Sequence, residues 1–476
     1  MPILTGNRKQ MALFPASVEE YVAQDDVVRA YDAFVDHLDW NSLRIKSPDH
    51  MGRPIYDPKT MLKLLIYSYS YGTRSSRKIE RACYHNVSFM WLTGGLKPDH
   101  KTIAEFRRQN KQAIKNVLKQ CVHFCMKCQL IEGNVLFVDG TKIRANASIN
   151  NTWNKEKCEK AIQRAKNRID ELLNECEAID QQEGDSPSLN KLYGDLADQQ
   201  KRKFKIQAIM EEIASEHRTS KNSVDGDCAN MHSRQGSHAA YNVQHVVDDA
   251  HGLIVHVDAV SDSNDAQQLP QQIKQANEQT GTECKVACAD AGYANTEKLP
   301  EVDSKGIKVI VPSQKLALHQ DPKPFARDEF CYDKEQDCYI CPEGHELKYR
   351  GLNKQKGSKV YKITQPKFCR QCRHFGTCTS STFGRKVTRL LNEDIKQRLE
   401  EQYLQTDSQL IYQRRKEKVE HPFGHIKNNL GVQAFLMRGR EAVNAEASLC
   451  AACFNIARMI TIFGGVIGLI EKLASC

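Results

Sequence analysis

Two short apolar runs, far apart in the chain, each lead into an aspartate that is closely followed by glycine. The first run starts at Val135 and meets Asp139, and the second starts at Val286 and meets Asp290. A continuous apolar run of this length predicts a buried strand. An acid at the end of a buried strand is costly unless it is paired or holds a cation. Both acids are therefore candidate metal ligands, and a turn made by Asp139 with Gly140 is the alternative.

The apolar pattern before residue 130 is helical. A capping box at Ser17 to Glu20 and the pair Asp57-Pro58 predict helix starts, and Ser75 opens a further short helix. The segment at residues 98–102 predicts the start of a long helix over residues 103–128. A helix, a glycine turn and a helix with a basic start are compatible with a DNA-reading helix-turn-helix. The alternative is a helical bundle with a solvated basic face. The candidate DNA contacts are Arg77, Lys78, Arg107 and Arg108.

Between residues 147 and 232 the pattern predicts two amphipathic helices joined by a polar break at residues 181–187. The apolar stripe of the second helix passes through Leu192, Phe204, Ile209 and Ile213. Strands over residues 240–248 and 252–258, joined as a hairpin, and a helix over residues 265–277 come next. Three further acids fall in loops or at a helix start, where turn-forming or capping roles are expected: Asp227, Asp262 and Asp265.

The cysteines become regularly spaced after residue 330. Cys-x-x-Cys pairs near turn residues or basic side chains match a structural zinc ribbon, and reduced cysteines without a metal are the alternative. Two ligand sets remain open. One is Cys338, Cys341, Cys369 and Cys372, and the other is Cys341, Cys369, Cys372 and Cys378.

A third acid, Glu420, follows a predicted helix over residues 393–411 and lies among basic residues. Nearby positive charge favours the ionised form of a carboxyl group. Pro422 belongs in the first turn of a helix or else kinks one, so Glu420 is expected at a helix start or at a bend. An exposed glutamate in an ion-paired helix is the alternative.

Composition and charge narrow the class of protein. The 476 residues suffice for two or three domains, and 68 basic against 59 acidic side chains give a net charge of +9, which suits a polyanion partner. No apolar segment of a secretory signal follows Arg8 and Lys9, so we expect an intracellular protein with reduced thiols. The apolar stretch at residues 447–465 contains Asn455 and Arg458 and favours a buried helix over a membrane span.

Taken together, these motifs resemble the DDE transposases of bacterial insertion sequences, most closely the group named for insertion sequence eleven eighty-two. The resemblance runs nearly end to end, and its motifs are specific in combination. They are Tyr56-Asp-Pro58, Ser75-Ser-Arg77, Pro98 to Ile103, Phe137 to Lys142, Tyr241-Asn-Val-Gln244, Ala289 to Tyr293, Cys341-Pro342, Cys369-x-x-Cys372, Val419 to Gly424 and Phe454 to Arg458.

The resemblance implies an α/β fold with a ribonuclease H-like mixed-sheet catalytic domain. It divides the chain into a helical, DNA-binding N-terminal domain (1–130), a first catalytic part (131–146), a helical-hairpin insertion (147–232), a central catalytic part (233–314), a Cys-rich zinc-ribbon-like insertion (315–385) and C-terminal catalytic helices (386–476).

It also implies a DDE triad of Asp139, Asp290 and Glu420 that holds two Mg²⁺ ions, for which Mn²⁺ can substitute. Tyr412, Arg415 and Lys427 resemble the Tyr, Arg, Glu, Lys signature around the third acid, although the spacing leaves Arg415 and Lys416 as rivals for the arginine position. The implied activity is DNA strand cleavage and strand transfer at terminal inverted repeats, by a homodimer on double-stranded DNA in the bacterial cytoplasm. A DNA-binding protein that has lost catalysis, or a nuclease without strand transfer, is the alternative.

Overall fold

The structure, a computed structural model, describes residues 17–45, 55–180, 187–216, 218–233, 236–318, 324–354 and 357–475. Contacts divide the chain into two compact units. Unit 1 comprises Met1–Asp265, Gln272–Glu283 and Lys416–Cys476, and unit 2 comprises Ala266–Gln271 and Cys284–Arg415. The described part is a mixed α/β protein with a helical N-terminal region.

The N-terminal region of unit 1 is helical, as its sequence pattern predicts. Asp57 caps α3 by accepting from the Thr60 amide at 2.9 Å, and Asp99 caps α6 by accepting from the Lys101 amide at 2.8 Å. The single long helix predicted over residues 103–128 is wrong, because Asn110 interrupts it. The helices are α1 (Val27–His37), α2 (Trp40–Leu43), α3 (Pro58–Ser70), α4 (Ser76–His85), α5 (Val87–Leu92), α6 (His100–Gln109) and α7 (Lys111–Lys127).

The predicted helical hairpin is present as α8 (Lys155–Asp180) and α9 (Pro187–Ser215), and its base is closed by β2 (Thr152–Asn154) paired with β3 (Ser220–Asn222). Its core contains Cys158, Ile162, Ile206, Ile209 and Ile213. Phe204 is 70% exposed, so its predicted place on the buried stripe is wrong. Most of the predicted polar break, residues 181–186, lies outside the described residues.

The sheet of unit 1 is built on β5 (Gly236–Asp248), which pairs antiparallel with β1 (Val135–Arg144), β4 (Ala229–Ser233) and β6 (Ile254–Val260). The β5–β6 hairpin confirms the turn predicted after Asp248. Strand β1 does not end at Asp139 but continues for five residues. The predicted position of Asp139 at a strand end is therefore wrong, and so is the alternative of a turn with Gly140. The helix predicted from residue 265 begins later, as α10 (Leu269–Thr280).

Unit 2 contains a parallel pair, β7 (Val286–Ala289) and β8 (Lys308–Ile310), with two short helices, α11 (Leu299–Asp303) and α12 (Gln314–Ala317). Its Cys-rich part is a five-stranded antiparallel sheet with the order β13-β12-β11-β10-β9. The strands are β9 (Cys331–Asp333), β10 (Cys338–Ile340), β11 (Glu346–Asn353), β12 (Ser358–Ile363) and β13 (Lys386–Leu390), and α13 (Pro366–Arg370) lies between β12 and β13.

The helix predicted over residues 393–411 is instead two helices, α14 (Glu393–Leu404) and α15 (Thr406–Gly424), because Gln405 is extended. Helix α15 begins in unit 2 and ends in unit 1. Pro422 lies in its last turn, so Glu420 lies near the end of a helix, not at a start. A π-helical turn, His425–Asn429, follows directly.

The last helices of unit 1 are α16 (Arg440–Ile462) and α17 (Val466–Ser475). In the described residues, α16 is the one helix long and apolar enough to cross a membrane, but 72% of its most apolar window is buried inside the protein. Its Asn455 side chain accepts from the Ile254 amide of β6 at 2.9 Å, and its fully buried Glu446 accepts from Arg74 at 3.1 Å. These polar contacts agree with the predicted buried helix.

Candidate active site

Asp139 lies in the middle of β1, half-buried, with His245 of β5 as its register partner. Its Oδ1 accepts from the backbone amide of the next residue, Gly140, at 2.8 Å. Because side chains alternate across a sheet, Asp139 shares a face with Thr141 and with His245. This face of β1 and β5 is the first part of the candidate site.

The end of α15 and the turn after it contact the same face. The Phe423 ring stacks on the His245 ring at a centroid distance of 4.6 Å and an interplanar angle of 22°. The Lys427 ammonium donates to the Thr141 hydroxyl, two residues from Asp139. Glu420 is exposed and lies three residues before Phe423, so the two side chains project from the same side of the helix. In unit 1, the end of α15 that carries Glu420 therefore packs against the face of the sheet that carries Asp139.

The side chains of His245 and Lys427 at this contact are largely shielded from water. Burial lowers the pKa of His245 to about 3, helped by the charge of Lys427 and by His256, so His245 is neutral at physiological pH. Burial also lowers the pKa of Lys427. Burial makes the charged ammonium form of a lysine less favourable, and a carboxylate or a phosphate nearby would favour that protonated form again.

Asp290 lies in unit 2, directly after β7, as the sequence pattern predicts. It caps a single 3₁₀ turn, Ala291–Tyr293, and its Oδ1 accepts from the Gly292 amide at 2.8 Å. Its position at the end of a buried strand leaves the carboxylate half-exposed, while Tyr293 behind it is fully buried. A carboxylate in this position is accessible to an incoming cation.

The first half of α15, also in unit 2, carries the predicted tyrosine and arginine. The Arg415 guanidinium lies over the Tyr412 ring, 5.5 Å from its centroid, and Tyr412 packs edge-on against Tyr403. Burial raises the pKa of Tyr412, and the negative charge of Asp290 is a smaller cause of the same sign. Tyr412 and Asp290 therefore lie in the same region of unit 2. Arg415 thus contacts Tyr412, whereas its rival for the arginine position, Lys416, is exposed.

The four predicted DNA contacts in the N-terminal region differ in their surroundings. Arg77 and Lys78 are exposed at the start of α4, and Arg108 is exposed on α6 beside Glu105. Arg107 is 8% exposed, and its guanidinium donates to the Tyr69 hydroxyl at 2.9 Å and to the Arg74 carbonyl at 3.2 Å. These buried contacts give Arg107 a packing role, so we remove it from the candidate DNA-binding set.

The cysteines of unit 2 fall into two groups. Four of them line one small cavity beneath the five-stranded sheet, together with His345 and His374: Cys341, Cys369, Cys372 and Cys378. Backbone amides donate to three of these sulfur atoms, from His345 to Cys341 at 3.3 Å, from His374 to Cys372 at 3.4 Å and from Arg385 to Cys369 at 3.3 Å.

The remaining cysteines of the module lie elsewhere. Cys338 is buried within β10, and Cys331 is exposed at the start of β9. The cavity therefore favours the second of the two predicted ligand sets. In the part of the chain that the structure describes, no three His, Cys, Asp or Glu side chains are already grouped as a metal site.

Asp265 is the acid whose surroundings the sequence did not indicate. A turn or capping role is predicted for it, but its carboxylate instead accepts from the side-chain amides of Asn242 and Gln244. The signal in the sequence is the pair of amides two residues apart in an otherwise apolar strand. Asp227 behaves as predicted, since it accepts from the Arg440 amide at the start of α16 at 2.8 Å.

Two family models match the chain. Residues 16–109 match a Transposase domain (DUF772), and residues 340–460 match a Transposase DDE domain. Neither a curated protein nor a solved structure matches it. The second match contains Tyr412, Arg415, Glu420 and Lys427, and the first contains the helices α1 to α6.

Both matches are to transposase domains, one near the start of the chain and one near its end. More particularly, they confirm the resemblance drawn from the motifs: the chain carries the two domain types of a DDE transposase of insertion sequences. Domains of this kind act on DNA and generally use divalent metal ions.

Proposed function

We propose that the protein is a cut-and-paste DNA transposase that binds the terminal inverted repeats of its insertion sequence, cleaves DNA there and transfers the freed strand to target DNA. The observation that carries the proposal is the contact of α15 and the turn after it with the face of β1 and β5 that carries Asp139, through Phe423 of α15 on His245 and Lys427 of the turn on Thr141. This contact joins the first acid to the element that carries the third. The match to a Transposase DDE domain supports it.

Asp139, Asp290 and Glu420 are the proposed ligands of two Mg²⁺ ions in a ribonuclease H-like domain. Their donors are carboxylate oxygens, which hard divalent cations prefer, and all three are at least partly exposed. When bound, the two ions activate the attacking oxygen and stabilise the leaving oxygen of a phosphodiester.

The basic residues around the acids have a positioning role in this proposal. The half-buried Lys427 ammonium is directed at the Asp139 face, where a DNA phosphate would compensate its charge. Arg415, held over the Tyr412 ring, offers a planar guanidinium for a phosphate or a flanking base. These contacts fix where the scissile phosphate lies and carry no sequence information themselves.

The N-terminal helices are proposed to bind the inverted repeats. Arg77 and Lys78 start α4, where exposed cationic side chains at a helix N-terminus can follow a DNA backbone, and Arg108 adds a third exposed charge. The net charge of +9 agrees with a polyanion partner. A homodimer acting on two DNA ends in the bacterial cytoplasm completes the proposal.

The proposal is tested by excision of a marker gene cloned between the terminal inverted repeats that flank the element. We expect excision by the wild-type protein and none by Asp139→Asn, because the amide removes a charged metal ligand and leaves the strand intact. End binding, measured by gel shift, should be unchanged in the variant. The matched control is Glu132→Gln, an exposed acid just before β1, which should excise normally. Excision by Asp139→Asn would remove Asp139 from the triad.

We further propose that Cys341, Cys369, Cys372 and Cys378 hold one structural Zn²⁺. Four cysteines around one small cavity, three of them accepting from backbone amides, have the donor chemistry of a zinc knuckle. Burial raises the pKa of the Cys378 thiol, the charge of Arg385 lowers it, and the neighbouring thiols of Cys369, Cys372 and Cys341 raise it again, which agrees with several sulfur atoms around one site. Zinc binding would then require rotation of the cysteine side chains into the cavity.

Elemental analysis of the purified full-length protein tests the zinc site. We expect about one zinc ion per chain in the wild type, and loss of that ion in Cys378→Ser. Cys338→Ser is the matched control, because Cys338 belongs to the other ligand set and lies in β10; it should keep the zinc. Zinc lost in Cys338→Ser and kept in Cys378→Ser would select the other set, and a zinc-free wild type would contradict the site altogether.

A further inference from the structure

Gly140 occupies a position in β1 where no side chain fits. A Cβ atom built there would lie 2.5 Å from Gln244 Nε2, 2.6 Å from Asp265 Oδ1 and 3.0 Å from Asn242 Oδ1. The φ angle of Gly140 is not positive, so its backbone conformation does not require glycine. The glycine after Asp139 is thus explained by close packing: the Gln244 amide and the Asp265 carboxylate occupy the place of its side chain.

That carboxylate is held in position from β5. Asp265 Oδ1 accepts from Asn242 Nδ2 and from Gln244 Nε2, each at 2.7 Å. Gln244 is the register partner of Gly140, and Asn242 is the partner of Lys142, so both amides project to the face of the sheet opposite Asp139. Gln244 is fully buried and Asn242 is 2% exposed. Amide donors to a carboxylate form charge-assisted hydrogen bonds, which are stronger than neutral ones.

The backbone links this bridge to the first acid. The Gly140 amide donates to Asp139 Oδ1 at 2.8 Å, so the carboxylate of Asp139 is held by the residue against which Asp265 packs. A displacement of Gly140 therefore moves the Asp139 carboxylate with it. Active sites depend on such placement, because an error of about 1 Å can reduce a rate by about 10²-fold.

We propose that Asp265 is a positioning residue for Asp139: bound by Asn242 and Gln244, it presses on Gly140 from the reverse face of the sheet and fixes the backbone that presents the Asp139 carboxylate. This inference rests on the proposed function, since it concerns the orientation of a metal-binding acid. Asp265 acts as a hydrogen-bond acceptor and touches neither metal nor DNA.

The test measures cleavage of a labelled inverted-repeat duplex by the full-length protein as a function of Mg²⁺ concentration. We expect Asp265→Ala to lower the maximal rate about tenfold or more and to raise the half-saturating Mg²⁺ concentration. Asp265→Asn should remain within about threefold of the wild type, because it keeps an acceptor oxygen for both amides. Gly140→Ala should resemble Asp265→Ala, since its methyl group displaces Asp265. Asp262→Ala, an exposed acid of the same loop, is the matched control and should behave as the wild type.

Each result separates the possibilities. If the wild type cleaves and Asp265→Ala cleaves equally well, the positioning role is wrong while the proposed function stands. If Asp265→Asn is as poor as Asp265→Ala, the charge of Asp265 matters and the acceptor role is wrong. If end binding and the urea midpoint of Asp265→Ala fall together with its rate, the bridge is merely structural. If the wild type does not cleave with Mg²⁺, the proposed function and this inference both fall.

Discussion

At the residue scale, the partner of Asp139 on the neighbouring strand is His245, a histidine that stays neutral in the folded protein. His245 is completely buried against Phe423, and burial lowers its pKa from 6.5 to about 3. A neutral ring at this position adds no positive charge of its own, whereas the Lys427 ammonium, which donates to the Thr141 hydroxyl, brings a cation to this face.

The low pKa of His245 predicts acid sensitivity. In the unfolded chain His245 takes up a proton below about pH 6.5 and in the folded protein it does not, so stability falls as the pH drops from 6.5 towards 3. The contribution is about 1.4 kcal/mol per pH unit. We expect the urea midpoint of the wild type to fall more between pH 7.5 and 5.5 than that of His245→Phe, which keeps the stacking on Phe423. Equal falls in both proteins would contradict a neutral buried histidine.

Single residues also show what the sequence could predict. The two apolar runs correctly predicted buried strands before Asp139 and Asp290, and Asp290 does follow the end of its strand. Asp139 does not lie at a strand end as predicted, because β1 continues through the polar residues after it. The role of Gly140 was not predictable, because it depends on Asp265, which is distant in sequence. Arg107 was misassigned for a similar reason: its partners Tyr69 and Arg74 come from other helices or loops.

At the scale of elements, α15 is the helix on which the site depends, and Pro422 shapes its end. Proline has no N–H to donate to the Lys418 carbonyl, and a π-helical turn follows at His425–Asn429. This wider turn includes Ile426, which is buried, and Lys427, which reaches β1. The irregular end of the helix thus carries the lysine to the Asp139 face.

A buried polar network ties α16 to the N-terminal helices. Glu446 accepts from Arg74 at 3.1 Å and from the Tyr69 hydroxyl at 3.2 Å, and its other oxygen accepts from the Leu436 and Met437 amides. Removing one partner of a buried ion pair leaves the other without compensation.

We therefore expect Glu446→Ala to lower the free energy of unfolding by about 3–5 kcal/mol. Glu441→Ala, on the same helix, removes the surface partner of Lys111 and should cost less than about 1 kcal/mol. Chemical unfolding followed by circular dichroism compares the two variants. A Glu446→Ala protein as stable as Glu441→Ala would show that the network does not stabilise this packing.

The type of each element was more predictable than its limits. Helix starts at Asp57 and Asp99 were correct because capping is a local effect. The breaks at Asn110 and Gln405 were missed because neither residue is a helix breaker, and tertiary packing decides such interruptions. The five-stranded sheet of the Cys-rich part was not predicted either, because its strands are short and cysteines dominate the sequence pattern of this part.

At the scale of the whole molecule, the acids of the proposed triad are separated by long insertions in sequence. The helical hairpin, α8 with α9, lies between Asp139 and Asp290, and the Cys-rich sheet lies between Asp290 and Glu420. Motifs identified the three acids, but spacing alone could not relate them across insertions of this size.

The central claim is that Asp139, Asp290 and Glu420 form one metal-dependent DNA-cutting and joining site, and Glu420 is its most exposed member. The most direct test is Mg²⁺-dependent cleavage of a labelled inverted-repeat end and its joining to a second duplex, comparing the wild type with Glu420→Gln and with Glu417→Gln. Glu417 is an exposed glutamate three residues earlier on α15 and serves as the matched control. We predict that the wild type and Glu417→Gln cleave and join, while Glu420→Gln binds the end but does neither. Joining by Glu420→Gln at the wild-type rate would contradict the account.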